Sequence, residues 1–188
     1  VTRIVLVRHG RSGHAHSGWI NITEFRRWRE AYEAAGIDAA DVPPLELCEI
    51  AAGSDVIAAS DAKRAIESAT LLAAGREVTI SPLLRERELP APALGRIRLP
   101  LFGWALAIGV GLFRADAAEA QRTREAADWL AQLAAENGSV VAVTHASFRS
   151  LLSREWAKRG WRCVVPAKKS DHWSAWTFTR GDCSPATL

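Results

Sequence analysis

Arg8, His9 and Gly10 follow Ile4-Val5-Leu6-Val7, an apolar, mostly β-branched run with the length of one buried strand. A fixed cation, an imidazole and a residue that lets the backbone come close therefore stand side by side at a strand end. In open α/β sheets, ligands bind in the crevice beyond the carboxyl ends of the strands. These residue types in this order suit an anion-binding or nucleophilic site; the plain alternative is the start of a solvated loop. His145 is placed in the same way, because Ser139-Val140-Val141-Ala142-Val143 reads as another buried strand that delivers Thr144-His145-Ala146-Ser147 ahead of a helix. Arg64 falls in the first turn of a predicted helix. Such a turn already offers unpaired N–H groups and a positive dipole end, so an Arg there makes an anion site, or else is a surface charge on an amphipathic helix. Glu86 and Glu88 alternate with Arg85 and Arg87. They form a salt-bridged loop, or they supply a general acid whose proton affinity its neighbours set. His14 and His16 make an H-x-H pair that can bind metal, but with no Cys or carboxylate beside them they read as a pocket rim or an exposed loop.

The elements that must position these groups are legible from pattern. Asn21 with Glu24 predicts a capping box, with Ile20 stapled against Phe25, and Phe25, Trp28 and Tyr32 fall on one helix face that Gly36 closes. Pro43-Pro44 opens a shorter helix stopped by Gly53. Asp55-Val56-Ile57-Ala58-Ala59 predicts a strand, with Ser60 as N-cap of a helix over 61–74 that buries Ala65, Ile66, Ala69 and Leu72. Val78-Thr79-Ile80 predicts a third strand. A long Ala-rich helix is expected over 116–136, ended by Asn137-Gly138. Another over 147–159 turns Phe148, Leu151, Leu152 and Trp156 inward, and an alternating last strand runs over 172–179. Strands alternating with helices predict an α/β fold with a mostly parallel central sheet and helices on both faces. The stretch 99–113 carries no charge, is too short to span a bilayer, and with Pro100, Gly103, Gly109 and Gly111 reads as a poor continuous helix.

With 188 residues, one domain over 1–188 is expected, long enough for a real core. A hydrophobic share of 48% and a net charge of +3 fit a globular chain with no basic stripe, so nucleic acid is not expected as a partner. Cys48, Cys163 and Cys183 are an odd set without CxxC spacing, which argues against a zinc site or a disulfide framework and for a reducing, cytoplasmic compartment. Val1 leads directly into the first strand, so no signal peptide is expected, and no membrane span either.

Taken together, Val5-Leu6-Val7-Arg8-His9-Gly10-Arg11-Ser12 resembles the strand and R-H-G-x-[ST] motif of the histidine phosphatase superfamily, the phosphoglycerate-mutase-like group. The segment from Ala59-Ser60-Asp61 through Arg64-Ala65 to Ser68-Ala69 resembles its S-x-x-x-R-A-x-x-[ST]-A element, Leu84-Arg85-Glu86 its L-x-E element, and Val143-Thr144-His145-Ala146 its [ST]-H-[GA] strand end. The four occur in the family's order. Three departures stand out. Ala15 falls where an Asn is usual, with His14, His16 and Asn21 as candidate substitutes. Asp61 replaces a Pro. Leu89-Pro90-Ala91-Pro92 stands where a Gly-Asp motif is common.

The resemblance implies a phosphoglycerate-mutase-like fold and a phosphoric monoester hydrolase of the histidine acid phosphatase type, acting through a covalent phosphohistidine. It implies His9 as nucleophile, Arg8, Arg64 and His145 around the phosphoryl oxygens, and Glu86 as acid, with Glu88 as the alternate. Ser12, Arg11 and the backbone of Ala146 are the expected further substrate contacts. No metal and no cofactor are implied, since arginine and histidine supply the positive charge. The expected partner is a small phosphorylated substrate or a phosphoprotein; a homodimer is also open. A phosphoglycerate-type mutase and a phosphate-binding regulatory pseudoenzyme are the alternatives. A cap is expected within 86–116, with Phe102, Trp104 and Phe113 gripping an apolar leaving group; the rivals are core, a second subunit or a membrane surface.

Overall fold

The computed structural model describes residues 2–14, 18–87, 97–111, 117–164 and 171–180. In chain order the elements are β1 (Thr2–Arg8), β2 (Trp19–Ile20), α1 (Ile22–Ala34), α2 (Leu45–Ala52), β3 (Val56–Ser60), α3 (Lys63–Ala73), β4 (Val78–Ser81), β5 (Leu99–Pro100), α4 (Leu101–Gly111), α5 (Ala117–Asn137), β6 (Ser139–Thr144), α6 (Ala146–Lys158), β7 (Arg162–Cys163) and β8 (Ala175–Arg180). The main sheet has the order β4-β3-β6-β1-β8-β7. Its first four strands are parallel, and β8 and β7 close it antiparallel.

The sheet is covered on both faces because its strands are apolar at nearly every position. Along β1, Ile4 and Leu6 point to one side with Val140, Ala142 and Phe178, where Ala126, Leu130 and Ala134 of α5 and Phe148, Leu152 and Trp156 of α6 pack. Val5 and Val7 point to the other side with Ile57, Val141 and Val143, against Leu47 and Ala51 of α2 and Ala65, Ala69 and Leu72 of α3. The α/β architecture read from the sequence is the one observed. The register sets the site: Arg8 pairs with Thr144 and Ala59 with Val143, so β1, β6 and β3 release His9, His145 and Asp61 at one level.

Helix starts agree with pattern where a side chain can cap. Asn21 accepts from Thr23 and Glu24 N–H while Glu24 reaches back to the Asn21 amide. That employs Asn21 locally, so it does not stand in for the missing Asn at Ala15, which lies outside the described residues, as does His16. Ser60 is not the cap of α3. It remains in β3, the helix begins three residues later at Lys63, and Ala62 holds the cap position without a side-chain bond.

The stretch 99–113 differs from its reading as a poor helix: α4 is helical over Leu101–Gly111. Pro100 sits just before the first helical residue, where a missing N–H costs nothing. Gly103 brings α4 close to β5, since a Cβ there would meet Leu99 at 3.2 Å. Trp104 is fully buried with Ile20 and Phe25 in a small separate core, and its Nε1–H donates to the Ile20 carbonyl at 2.9 Å. Trp104 therefore does not grip a ligand, because its surface and its polar tip are spent on packing. Phe102 is exposed, and Phe113 lies outside the described residues. No helix among the described residues is long and apolar enough to cross a membrane.

The strands β2 and β5 with helices α1 and α4 thus form a small second layer. Its stability rests on Trp104, so Trp104→Ala should cost about 3 kcal/mol or more by chemical denaturation, and hydrogen exchange should rise first in α1. A loss below about 1 kcal/mol with unchanged exchange would contradict this packing.

Candidate active site

His9 leaves the end of β1 into the interior, where it is almost fully buried. Its Nδ1 lies 2.7 Å from the Gly10 carbonyl. A carbonyl only accepts, so Nδ1 carries the proton and Nε2 carries the lone pair. The Arg64 Nε–H points at that lone pair from 3.3 Å. The His9 pKa is pushed down to about 3, chiefly by burial; the Gly10 carbonyl opposes the shift, and the charges of Arg64, Arg8 and His172 add to it. His9 is therefore a neutral imidazole with a defined nucleophilic nitrogen.

Arg64 is also buried, and all five of its N–H groups are engaged by protein. Beyond His9, Nη1 donates to the Tyr32 carbonyl at 3.2 Å and to Glu33, and Nη2 donates to Glu33 at 3.3 Å and to His145 Nδ1 at 3.4 Å. Because arginine cannot accept, His145 Nδ1 holds a lone pair and Nε2–H donates to Ser60 Oγ at 3.0 Å. Burial, then the charges of His9, Arg64, Arg122 and Arg8, hold the His145 pKa well below its ordinary value. The His9 and His145 rings meet edge to face with centroids 5.0 Å apart. One turn beyond Arg64, Ser68 Oγ donates to the Arg64 carbonyl and accepts the Gly10 N–H at 2.9 Å. Helix α3 thus fixes both the arginine and the loop that carries His9.

Glu86 stands at the start of α6. One of its carboxylate oxygens accepts from the Ser147 hydroxyl, from the Phe148 N–H at 3.1 Å and from the Arg87 N–H at 3.0 Å. Thr144 Oγ1 pins the preceding turn by donating to the Leu84 carbonyl at 2.7 Å. Glu88 lies outside the described residues. Ala146 opens α6 directly after His145. Ser12 turns inward on its own loop: its Oγ accepts the His14 N–H at 3.2 Å. The Arg11 side chain is exposed, and its backbone N–H donates to Asp41. His14 rests against Trp28 with centroids 6.2 Å apart. Among the described residues no cluster of three metal-ligating side chains occurs.

Several site residues escaped the sequence reading. His172 lies with its ring 5.6 Å from that of His9, and its Nδ1–H donates to the His9 carbonyl at 3.1 Å. Burial and the Arg8 charge lower its pKa. Trp173 beside it adopts φ 61°, a left-handed conformation costing a bulky residue roughly 1–2 kcal/mol. That turn is held because the Trp173 amide donates to the Arg8 carbonyl and its indole N–H to Asp41 at 2.8 Å. Gly10 is required beneath it, since a Cβ there would come within 2.5 Å of the indole. Arg149, fully buried four residues after His145, donates to the carbonyl and hydroxyl of Ser174 and lies over the Trp176 ring at 4.3 Å. Burial and the Arg8 charge bring its pKa down to about 10, against the pull of Glu86. Its i+4 spacing from His145 on an inward helix face was a usable signal. His172 had none, because only the antiparallel register of β8 on β1 brings it to His9.

This sequence matches no protein-family model and no curated protein. Solved structures do match. Mycobacterial glucosyl-3-phosphoglycerate phosphatase aligns with 94% of this chain and 89% of its own, at 20% identity and a TM-score of 0.56. The α-ribazole phosphatase of Shigella flexneri aligns with 96% and 91%, at 16% identity and a TM-score of 0.54. A phosphoserine phosphatase mutant from Entamoeba histolytica, in complex with phosphoserine, aligns with 95% and 91%, at 13% identity and a TM-score of 0.56. The chain has the fold of these phosphatases, a mostly parallel central sheet with helices on both faces.

The buried histidines link stability to pH with a definite sign. Their folded pKa values lie below the ordinary 6.5, so in that interval the unfolded chain binds more protons and stability rises with pH. The contribution is whole above pH 6.5 and is lost as pH falls toward about 3 for His9. The melting temperature should therefore drop between about pH 6.5 and 5, above the ordinary carboxylate range, and His9→Gln should flatten that slope. A pH-independent melting temperature across this window would contradict the neutral, buried histidines.

Proposed function

We propose that this protein is a phosphatase that hydrolyses a phosphomonoester through a phosphohistidine on His9 Nε2, a mechanism of the histidine acid phosphatase type. The observation that carries the proposal is the tautomer of His9: Nδ1 is committed to the Gly10 carbonyl, leaving a lone pair on Nε2 that faces the Arg64 guanidinium. The likeness to phosphatases in fold supports it.

The steps follow from these groups. The Nε2 lone pair attacks phosphorus, and the P–O ester bond breaks. The leaving oxygen takes a proton from the Glu86 carboxyl. Arg8 and Arg64 face the charge spread over the non-bridging oxygens as the transition state forms, and His145, the neutral third member of the set, orients Arg64 by accepting its Nη2–H at Nδ1. Water then attacks the phosphoenzyme and gives its proton to the Glu86 carboxylate; the P–N bond breaks, its electron pair returns to Nε2, and inorganic phosphate leaves. The second layer, which reaches Arg64 through Tyr32 and Glu33 of α1, is the cap of this site; α4 supports it from behind. The substrate is a small phosphorylated molecule.

His9→Ala should abolish phosphate release from an aryl phosphate while circular dichroism stays unchanged. Retention of more than a few per cent of turnover would sink the covalent route. Glu86→Gln should slow alkyl phosphates far more than nitrophenyl phosphate, whose leaving group needs little protonation. Equal slowing of both would remove Glu86 from the role of acid.

A further inference from the structure

The last turn of α1 brings one more polar group to the site. Arg64 lies over the Tyr32 ring with its guanidinium carbon 4.4 Å from the centroid. On its other side Tyr32 stacks on Trp28 at 5.1 Å, Trp28 on Phe25 at 5.8 Å, and Phe25 on buried Trp104 at 4.9 Å. The ring is held at the end of a column of aromatic side chains, and both its faces are covered. The hydroxyl has no hydrogen-bond partner among the described residues. The charges acting on it are, in order of strength, those of Arg64, Arg8, Glu86 and Glu33. The first two are the arginines of the phosphoryl site and the third is its acid. Tyr32 is the chain's single tyrosine, and it is the member of the column on which the Arg64 guanidinium rests.

We propose that the Tyr32 hydroxyl donates a hydrogen bond to a non-bridging oxygen of the bound phosphoryl group, beside Arg8 and Arg64. This rests on the phosphatase reading and adds a substrate-contacting residue to it. A neutral donor is needed there because the N–H groups of Arg64 are already engaged by His9, Tyr32, Glu33 and His145, so an arriving anion must share them. Burial raises the pKa of Tyr32 above its ordinary value of 10, so the group remains an O–H donor at neutral and mildly alkaline pH. No covalent bond forms or breaks at Tyr32, and its proton stays on oxygen.

Tyr32→Phe separates the hydroxyl from the ring, because the stack on Trp28 and beneath Arg64 is kept. The expected result is at least a tenfold loss in kcat/KM for nitrophenyl phosphate, with inhibition by inorganic phosphate weakened by a similar factor, about the worth of one hydrogen bond to a charged group. The melting temperature should stay the same, since the hydroxyl gives up no protein partner. Tyr32→Leu should lose both activity and stability, because it also removes the platform under Arg64. Kinetics and phosphate inhibition within twofold of wild type in Tyr32→Phe would overturn the proposal, as would a large fall in its melting temperature, which would make the hydroxyl structural. Failure of the phosphatase reading would show differently: the wild-type protein itself would neither release phosphate from nitrophenyl phosphate nor bind inorganic phosphate by calorimetry.

Discussion

Two guanidinium groups, those of Arg64 and Arg149, are buried to 1% and 0% exposure, and the site is built around the consequences. Taking a charge out of water costs several kcal/mol per ion unless geometry and partners repay it. Arg64 is repaid in part by Glu33, yet that carboxylate is 54% exposed and holds the guanidinium at 3.3 Å, a screened pair of small worth. Arg149 has no carboxylate partner among the described residues. It relies on two bonds to Ser174 and on the face of Trp176. Of these two buried charges, one is therefore offset only by an exposed carboxylate and the other by neutral partners, among the described residues.

The same charges explain why the histidines are neutral. A cation brought near an imidazole penalises its protonation, and burial does so more strongly. For His9 both act, and the Gly10 carbonyl recovers only part of the shift. The bonds of each ring then decide its tautomer. His9 donates Nδ1–H to the Gly10 carbonyl and turns its Nε2 lone pair to the Arg64 Nε–H, while His145 donates Nε2–H to Ser60 and turns Nδ1 to Arg64. Cation, lone pair and backbone are therefore interdependent. The turn at Trp173 belongs to this set, because its left-handed backbone lets His172 reach the His9 carbonyl while Ser174 accepts from both Arg8 and Arg149.

What the sequence disclosed was the part governed by local rules. Apolar runs that end in Arg8-His9-Gly10 and Thr144-His145 identify strand ends, and strand ends in a parallel sheet converge whatever the loops do. Arg64 and Ser68 share one face of α3 at i, i+4, so the helix pattern carries both. Illegible were contacts set by distant register or by packing between layers. His172 reaches His9 through the pairing of Val7 with Ala175. Glu33 and Tyr32 of α1 reach Arg64 by packing between layers, whereas the sequence pattern placed Tyr32 only on one helix face with Phe25 and Trp28. The helical state of 101–111 was obscured because Gly103 lowers helix propensity, while the close approach to Leu99 that favours a glycine there depends on β5, which no local pattern announces.

The aromatic column joins the two scales. Trp104 is anchored by the Ile20 carbonyl, Phe25 lies on Trp104, Trp28 on Phe25, Tyr32 on Trp28, and the Arg64 guanidinium on Tyr32. Each contact is worth only about 1 kcal/mol beyond the area it buries. Their value is directional, because flat rings leave the next plane few orientations. Arg64 has little freedom on the opposite side, where its Nε meets His9 and its Nη2 meets His145. The arginine is thus clamped between a rigid sheet end and a stacked column rising from a separate small core. Packing of Trp104 is transmitted through stacked rings to the charge that faces His9 Nε2.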